Sequence, residues 1–182
     1  MGARAAHDPN VHARRGSHEP RSFGSQVFPD TVIVEPDFLD FVEALLRAQA
    51  RFLVVGAQAL AVHGVPRATG DIDIWIDQSA DNAACVWAAL LDFGAPVGTL
   101  QISPNDLRQP NMVVQIGVPP CRIDILTDVS GIAFADAWDD RFVCRVSDMD
   151  IPFIGRTAFI QNKRASGRFK DLGDLEALGE TV

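Results

Sequence analysis

Two aspartates, Asp71 and Asp73, alternate with isoleucines in the short run DIDIWI. Because successive residues of a strand point to opposite faces, both carboxylates lie on one face while Ile72, Ile74 and Ile76 face the core. Two carboxylates held this close repel each other unless a cation lies between them or one of them binds a proton. Carboxylate oxygens are hard ligands that suit Mg²⁺ or Mn²⁺, so the pair predicts a divalent metal site.

A third carboxylate, Asp124, has the same setting in the run RIDIL, where Ile123 and Ile125 flank it. A neighbouring strand could bring Asp124 beside the first pair and complete a site for two metal ions about 3.5–4 Å apart. The alternative is structural: Asp124 forms an ordinary salt bridge, to Arg122 or to Arg108.

Upstream of the acids, the run VVGA ends an apolar stretch at Gly56 and begins a helix at the same residue. The first backbone N–H groups of a helix have no intrahelical acceptor and can bind an anion. A triphosphate would fit this position next to a metal site. Gly56 could equally be a turn glycine with no ligand.

The elements that position these residues follow from the spacing of apolar residues. Helices are predicted at residues 37–50, 57–64, 80–94, 134–140, 156–166 and 168–179. Strands are predicted at residues 51–56, 71–76, 111–118, 121–127 and 141–146, with a hairpin at the two prolines 119 and 120. Interleaved helices and strands with adjacent late strands indicate an α+β or mixed α/β fold.

Length and composition predict one globular domain over residues 31–182, because 182 residues at 47% hydrophobic content can bury a real core. Residues 1–30 are rich in Gly, Pro, Ser, His and Arg, which is typical of a disordered arm. Three cysteines without CxxC spacing indicate neither a disulfide framework nor a zinc site. No apolar run reaches membrane-spanning length, so we expect a cytoplasmic protein.

The net charge of −8 argues against a broad basic surface for nucleic acid. One local exception is a run of cations in residues 163–170, for which a solvated helix face is the simplest explanation. Asp171 and Asp174, which follow that run, are expected on the solvent side of an amphipathic helix.

The ordered motifs resemble those of the nucleotidyltransferase superfamily whose best-known member is DNA polymerase beta. Its pattern of apolar-Gly-Gly/Ser, a spacer, Asp-apolar-acid-apolar and a later third acid matches Val55 to Ala57, Asp71 to Ile74, and Asp124 with its flanking isoleucines. Ala57 departs from the usual Gly or Ser, which removes a hydroxyl contact and leaves the backbone N–H. The longer string GAQALAVHGVPRATGDIDI resembles the small bacterial branch that includes toxin-antitoxin and abortive-infection proteins.

The resemblance implies a nucleotidyltransferase fold, with a central mixed sheet flanked by helices, and the transfer of a nucleoside monophosphate from an NTP to a hydroxyl. The acceptor would be RNA, tRNA included, or protein, and a cognate toxin or antitoxin would be a partner. Mg²⁺ or Mn²⁺ would be held by the three acids. The implied nucleotide-binding residues are Gly56, Ala57, Arg67, Thr69 and Lys163.

Two other functions remain open at this point. A catalytically idle protein of the same fold would act as a binding partner, either an antitoxin or a regulatory subunit. A phosphatase or nuclease would use the same metal ions with water as the nucleophile.

Overall fold

The computed structural model describes residues 35–118 and 121–181; the predicted arm at residues 1–30 and the predicted turn at 119–120 lie outside the described residues. The longest helix has 13 residues, and no helix in the described part of the chain is long and apolar enough to cross a membrane. The elements are α1 (Pro36–Arg47), β1 (Phe52–Val55), α2 (Gly56–Val62), β2 (Asp71–Ile76), α3 (Ala80–Asp92), α4 (Val97–Leu100), a 3-10 turn (Asp106–Arg108), β3 (Val113–Val118), β4 (Cys121–Leu126), α5 (Phe134–Asp139), β5 (Phe142–Val146), β6 (Met149–Phe153), α6 (Arg156–Ser166) and α7 (Phe169–Ala177).

The six strands form one mixed sheet in the order β3-β4-β2-β1-β6-β5. The pairs β2–β4 and β1–β6 are parallel, and the other three pairs are antiparallel. Helices flank this sheet. The predicted fold class, a mixed α/β fold with a central mixed sheet between helices, is therefore confirmed.

The core lies around the central strands. All four residues of β1 are buried, since β1 has neighbours on both edges and packing on both faces. Ile72, Ile74 and Ile76 of β2 are buried as their alternation predicts, at 5%, 0% and 0% exposure. The remaining face of β2 carries Asp71 and Asp73 at one end and the buried Trp75 at the other.

The last part of the sheet differs from the prediction. One strand was expected at residues 141–146, whereas the structure has a β5–β6 hairpin in which Val143 lies opposite Pro152. Proline lacks an N–H group and lowers the strand propensity of a short run, which is why the run MDIPF gives no clear strand pattern. Two short elements, α4 and the 3-10 turn, were also not predicted.

His63 ends α2 and is packed among aromatic rings, with the ring centroids of Phe159 and Phe142 at 5.7 and 6.3 Å. Its Nε2 lies 2.9 Å from the carbonyl oxygen of Ile154, so the neutral ring can donate a hydrogen bond there. Burial is the main cause that lowers the pKa of His63 below 6.5. This histidine joins α2 to the end of β6 and to α6.

Acidification should destabilise the protein through His63. The unfolded chain protonates this histidine near pH 6.5 while the folded chain resists protonation, so the free energy of unfolding falls as the pH drops below that value. One proton limits the slope to about 1.4 kcal/mol per pH unit. Urea unfolding of wild type and of His63→Gln between pH 7 and pH 5 measures the slope of the unfolding free energy against pH. Equal slopes for the two proteins would contradict the prediction.

Candidate active site

Parallel pairing of β2 with β4 brings the predicted acids together. Asp73 lies opposite Asp124 in the register, and Asp71 lies opposite Arg122. All three aspartates line one open cleft with a volume of about 920 Å³. The convergence expected from the DIDIW and RIDIL runs is therefore present in the fold, on the face of the sheet opposite to the isoleucines.

The environment of Asp73 disfavours its charged form. Burial raises its pKa above the usual 3.8, and the charges of Asp124 and Asp71 raise it further. Lys170 and Lys163 act in the opposite direction and do not cancel the effect. The charged form of the Asp73 carboxylate is therefore disfavoured, first by burial and then by the neighbouring carboxylates.

The guanidinium of Arg122 bridges the other two acids. Its Nη2 donates to Asp71 Oδ2 at 2.8 Å and to Asp124 Oδ2 at 3.1 Å. Its Nε lies 2.9 Å from Asp124 Oδ1, yet this buried Nε makes no hydrogen bond of acceptable angle. The structural alternative for Asp124, a salt bridge to Arg122, is thus present, and the signal for it was the spacing of two residues along one strand face.

Whether these acids suit a divalent metal depends on Arg122. Within residues 35–118 and 121–181, no three acidic, imidazole or thiol side chains already stand in a metal-binding arrangement. Asp71 and Asp124 are paired with the guanidinium, whereas Asp73 forms no ion pair with it and has a raised pKa, mainly because it is buried. Three adjacent carboxylates with unbalanced charge fit a hard divalent cation, provided that the Arg122 side chain moves away.

Gly56 brings the start of α2 directly against the acids. Its φ of +65° lies in the left-handed region, which favours glycine. A Cβ at this position would overlap Oδ2 of Asp73, because Val55 and Asp73 are paired across β1 and β2. Gly56 and Ala57 both line the cleft. The glycine is therefore required by backbone conformation and by the space that Asp73 occupies.

Helices α6 and α7 form the opposite wall of the cleft, and their contact is ionic. Lys163 is 5% exposed, and its Nζ lies 2.6 Å from Asp171 Oδ1 and 2.8 Å from Asp174 Oδ2. The expected solvated helix face was wrong for these three residues, since Asp171 and Asp174 are 0% and 6% exposed. A charged side chain is buried only when it is paired, and their partner comes from the other helix.

The carboxylate of Asp171 is held in its charged form. Burial alone would raise its pKa, but hydrogen bonds from Lys163, Arg168 and Ser166 outweigh burial and lower the pKa to about 2. The Oδ2 atom of Asp171 accepts from Arg168 Nε at 2.6 Å and from Ser166 Oγ at 2.7 Å. This carboxylate therefore fixes the chain between the two helices at the cleft.

The remaining predicted residues also line the cleft. Arg67 extends from the loop before β2, with its Nε 3.5 Å from Asp174 Oδ1. The hydroxyl of Thr69 accepts from the N–H of Asp71 at 3.2 Å and donates to its carbonyl at 3.0 Å, which fixes the start of β2. Two further cations, Arg168 and Lys170, line the cleft and were not assigned to it from the sequence.

The sequence of the chain matches no protein-family model and no curated protein. Among solved structures, it is similar to a protein from Thermotoga maritima that bears the name "putative nucleotidyltransferase". The two share 17% sequence identity with a TM-score of 0.53, over 79% of this chain and 93% of the other. At this identity the likeness concerns the fold, so the chain has a fold in common with that protein, as its motifs predicted.

Proposed function

We propose that this protein is a metal-dependent nucleotidyltransferase that moves a nucleoside monophosphate from an NTP to a hydroxyl of RNA or protein in the cytoplasm. The observation that carries the proposal is the register of β2 and β4, which sets Asp73 beside Asp124. The start of α2 at Gly56 adjoins the same carboxylate. A fold likeness alone would not distinguish an enzyme from a binding protein.

In this proposal Asp71, Asp73 and Asp124 hold Mg²⁺ or Mn²⁺ once Arg122 has turned away. The bound metal would neutralise the triphosphate and lower the pKa of the acceptor hydroxyl. In the transfer the acceptor oxygen would bond to the α-phosphorus as the bond from that phosphorus to the β-phosphate oxygen breaks, so that the hydroxyl proton passes to water and pyrophosphate leaves. Arg122, which lines the cleft, would on release from Asp71 and Asp124 pair with phosphate oxygens instead.

The β- and γ-phosphates would be held between α2 and the opposite wall. The N–H groups of Gly56 and Ala57 donate from one side, and Arg67, Arg168 and Lys170 supply positive charge from the other. Thr69 fixes the strand that carries Asp71 and Asp73. Lys163 supports this wall, because its ammonium group is already paired with two carboxylates.

The second candidate is a catalytically idle protein of the same fold that works by binding a cognate toxin or antitoxin. Two observations favour it: Arg122 already pairs with two of the three acids, and Ala57 replaces the usual Gly or Ser. A toxin-antitoxin role is compatible with either candidate. Incubation with each α-³²P-labelled NTP, Mg²⁺ and total tRNA or cell extract separates them, since only the enzyme transfers label and releases pyrophosphate.

Asp73→Asn should abolish transfer without unfolding the protein. We expect a loss of at least about a thousandfold in rate, or roughly 4 kcal/mol of transition-state stabilisation, because a neutral amide is a poor metal ligand. The melting temperature should stay equal or rise, since the substitution relieves repulsion from Asp124. Asp148→Asn, at a fully exposed carboxylate between β5 and β6, is the matched control. Unchanged transfer by Asp73→Asn would refute the proposal.

Gly56→Ala should impair activity more than its effect on stability explains. Gly94→Ala is the control, because Gly94 has a φ of +79° and no heavy atom within 4 Å of the added Cβ. Each substitution carries about 1–2 kcal/mol of left-handed backbone strain. Only Gly56→Ala also displaces the Asp73 carboxylate. Circular dichroism melts and labelled-NTP transfer measure the two effects, and parallel losses in the two variants would contradict the prediction.

Lys163→Met should reduce stability, whereas Lys170→Met should reduce NTP binding. Loss of Lys163 leaves two buried carboxylates without their shared cation, which should cost about 3–5 kcal/mol of unfolding free energy. Loss of the exposed Lys170 should leave stability unchanged and weaken NTP binding. Urea titration measures the free energy of unfolding, and calorimetric titration with NTP measures the affinity for the nucleotide. A stable Lys163→Met protein with weakened NTP binding would instead make Lys163 a phosphate ligand.

A further inference from the structure

Phe169, the first residue of α7, is 96% exposed. Its neighbours in sequence, Arg168 and Lys170, both line the cleft, but Phe169 lies outside the lining. A phenyl ring in this position forfeits the stabilisation that burial would give it. We call these three residues, Arg168 to Lys170, the α7 platform, which lies at the rim of the cleft that contains Asp73.

The charged side chains around the platform differ in their exposure to solvent. Arg67, Lys163 and Arg168 pair with the carboxylates of Asp171 and Asp174, which leaves one net positive charge. Lys170, which also lines the cleft, adds a second. Both carboxylates are buried, whereas the side chain of Arg168 is 63% exposed. The part of the surface that α7 offers to a ligand is therefore cationic, although the net charge of the chain is −8.

From this arrangement we infer that the α7 platform binds a single-stranded nucleic acid that carries the acceptor hydroxyl, an inference that rests on the proposed nucleotidyl transfer. A base stacks on Phe169, while Arg168 and Lys170 contact the adjacent phosphates of the strand. The same two cations also face the NTP phosphates, so with both ligands bound they lie between the strand and the NTP.

The position of Phe169 favours a polymer over a mononucleotide. A mononucleotide that fills the cleft contacts Arg168 and Lys170 without reaching a ring that lies outside the lining. A strand whose end enters the cleft and that leaves it over α7 passes Phe169, because both sequence neighbours of this residue line the cleft. The acceptor end would then point toward Asp124, and the nucleotides behind it would cross the platform.

Fluorescence anisotropy with labelled oligonucleotides of about ten nucleotides tests the inference. One RNA and one DNA of the same unpaired sequence are titrated with the full chain in EDTA, without NTP, at about 50 mM salt. Phe169→Ala should weaken binding about tenfold, and Phe169→Trp should preserve it, since one stacked base contributes a factor of this order. Leu91→Ala, at a 54% exposed apolar residue of α3, is the matched control.

The salt dependence of oligonucleotide binding tests whether the cations of the platform contact phosphates. A plot of log Kd against log salt concentration should become shallower by about 0.7 for Lys170→Gln, as expected for one lost phosphate contact to a single strand. Arg145→Gln on β5, with a 58% exposed side chain, should leave the slope unchanged. Equal slopes for wild type and Lys170→Gln would count against phosphate contact by the platform.

The inference is overturned if wild type binds neither oligonucleotide, or if Phe169→Ala binds both as wild type does. It is also overturned if Phe169→Ala weakens NTP binding but not oligonucleotide binding, because the ring would then serve the nucleotide. A monomer–dimer shift in Phe169→Ala without a change in oligonucleotide binding would assign the ring to a protein contact. Because no NTP is present, these results are independent of transfer, which Asp73→Asn tests separately.

Discussion

The site depends on like charges held together by strand pairing. Hydrogen bonds between β2 and β4 fix Asp73 beside Asp124, although burial and the charge of Asp124 both disfavour the charged form of Asp73. The isoleucines behind them are buried and prevent the register from slipping, since a shift of one residue would turn the acids into the core. The hydrophobic face of the sheet therefore supplies the free energy that maintains the acidic face. Arg122 relieves part of the repulsion, and the rest is available to bind a cation.

Much of the fold could be predicted because local pattern and tertiary role agree. The alternation in DIDIWI, the helix that begins at Gly56 and the hairpin of β3 with β4 all follow from side-chain period and glycine position. The strand order could not be predicted, because the parallel contacts β2–β4 and β1–β6 join segments far apart in the chain. Strand β6 was missed since Pro152 removes the hydrogen-bond donor on which the pattern of a strand relies.

The candidate site likewise has residues that could be predicted from the sequence and residues that could not. The acids and Gly56 were identified from spacing along single elements, and the fold brings them together. The burial of Asp171 and Asp174 was predicted incorrectly, because residue type alone places a carboxylate in solvent. Only the approach of α6 supplies Lys163 as their partner, eight and eleven residues earlier in the chain. Ion pairs between two helices depend on the tertiary structure and cannot be predicted from the periodicity of one helix.

The two walls of the cleft use buried charge in opposite ways. On the sheet, the carboxylate of Asp73 lacks a paired cation in the described structure and its pKa is raised. On the helices, Asp171 is fully paired and its pKa is lowered to about 2. The ion pair with Asp171 holds the Arg168 side chain at the cleft, whereas no such pair stabilises the charge of Asp73. This asymmetry is the expected consequence when one wall positions a ligand and the other performs chemistry on it, because saturated ion pairs resist movement and strained charges gain most from a new partner.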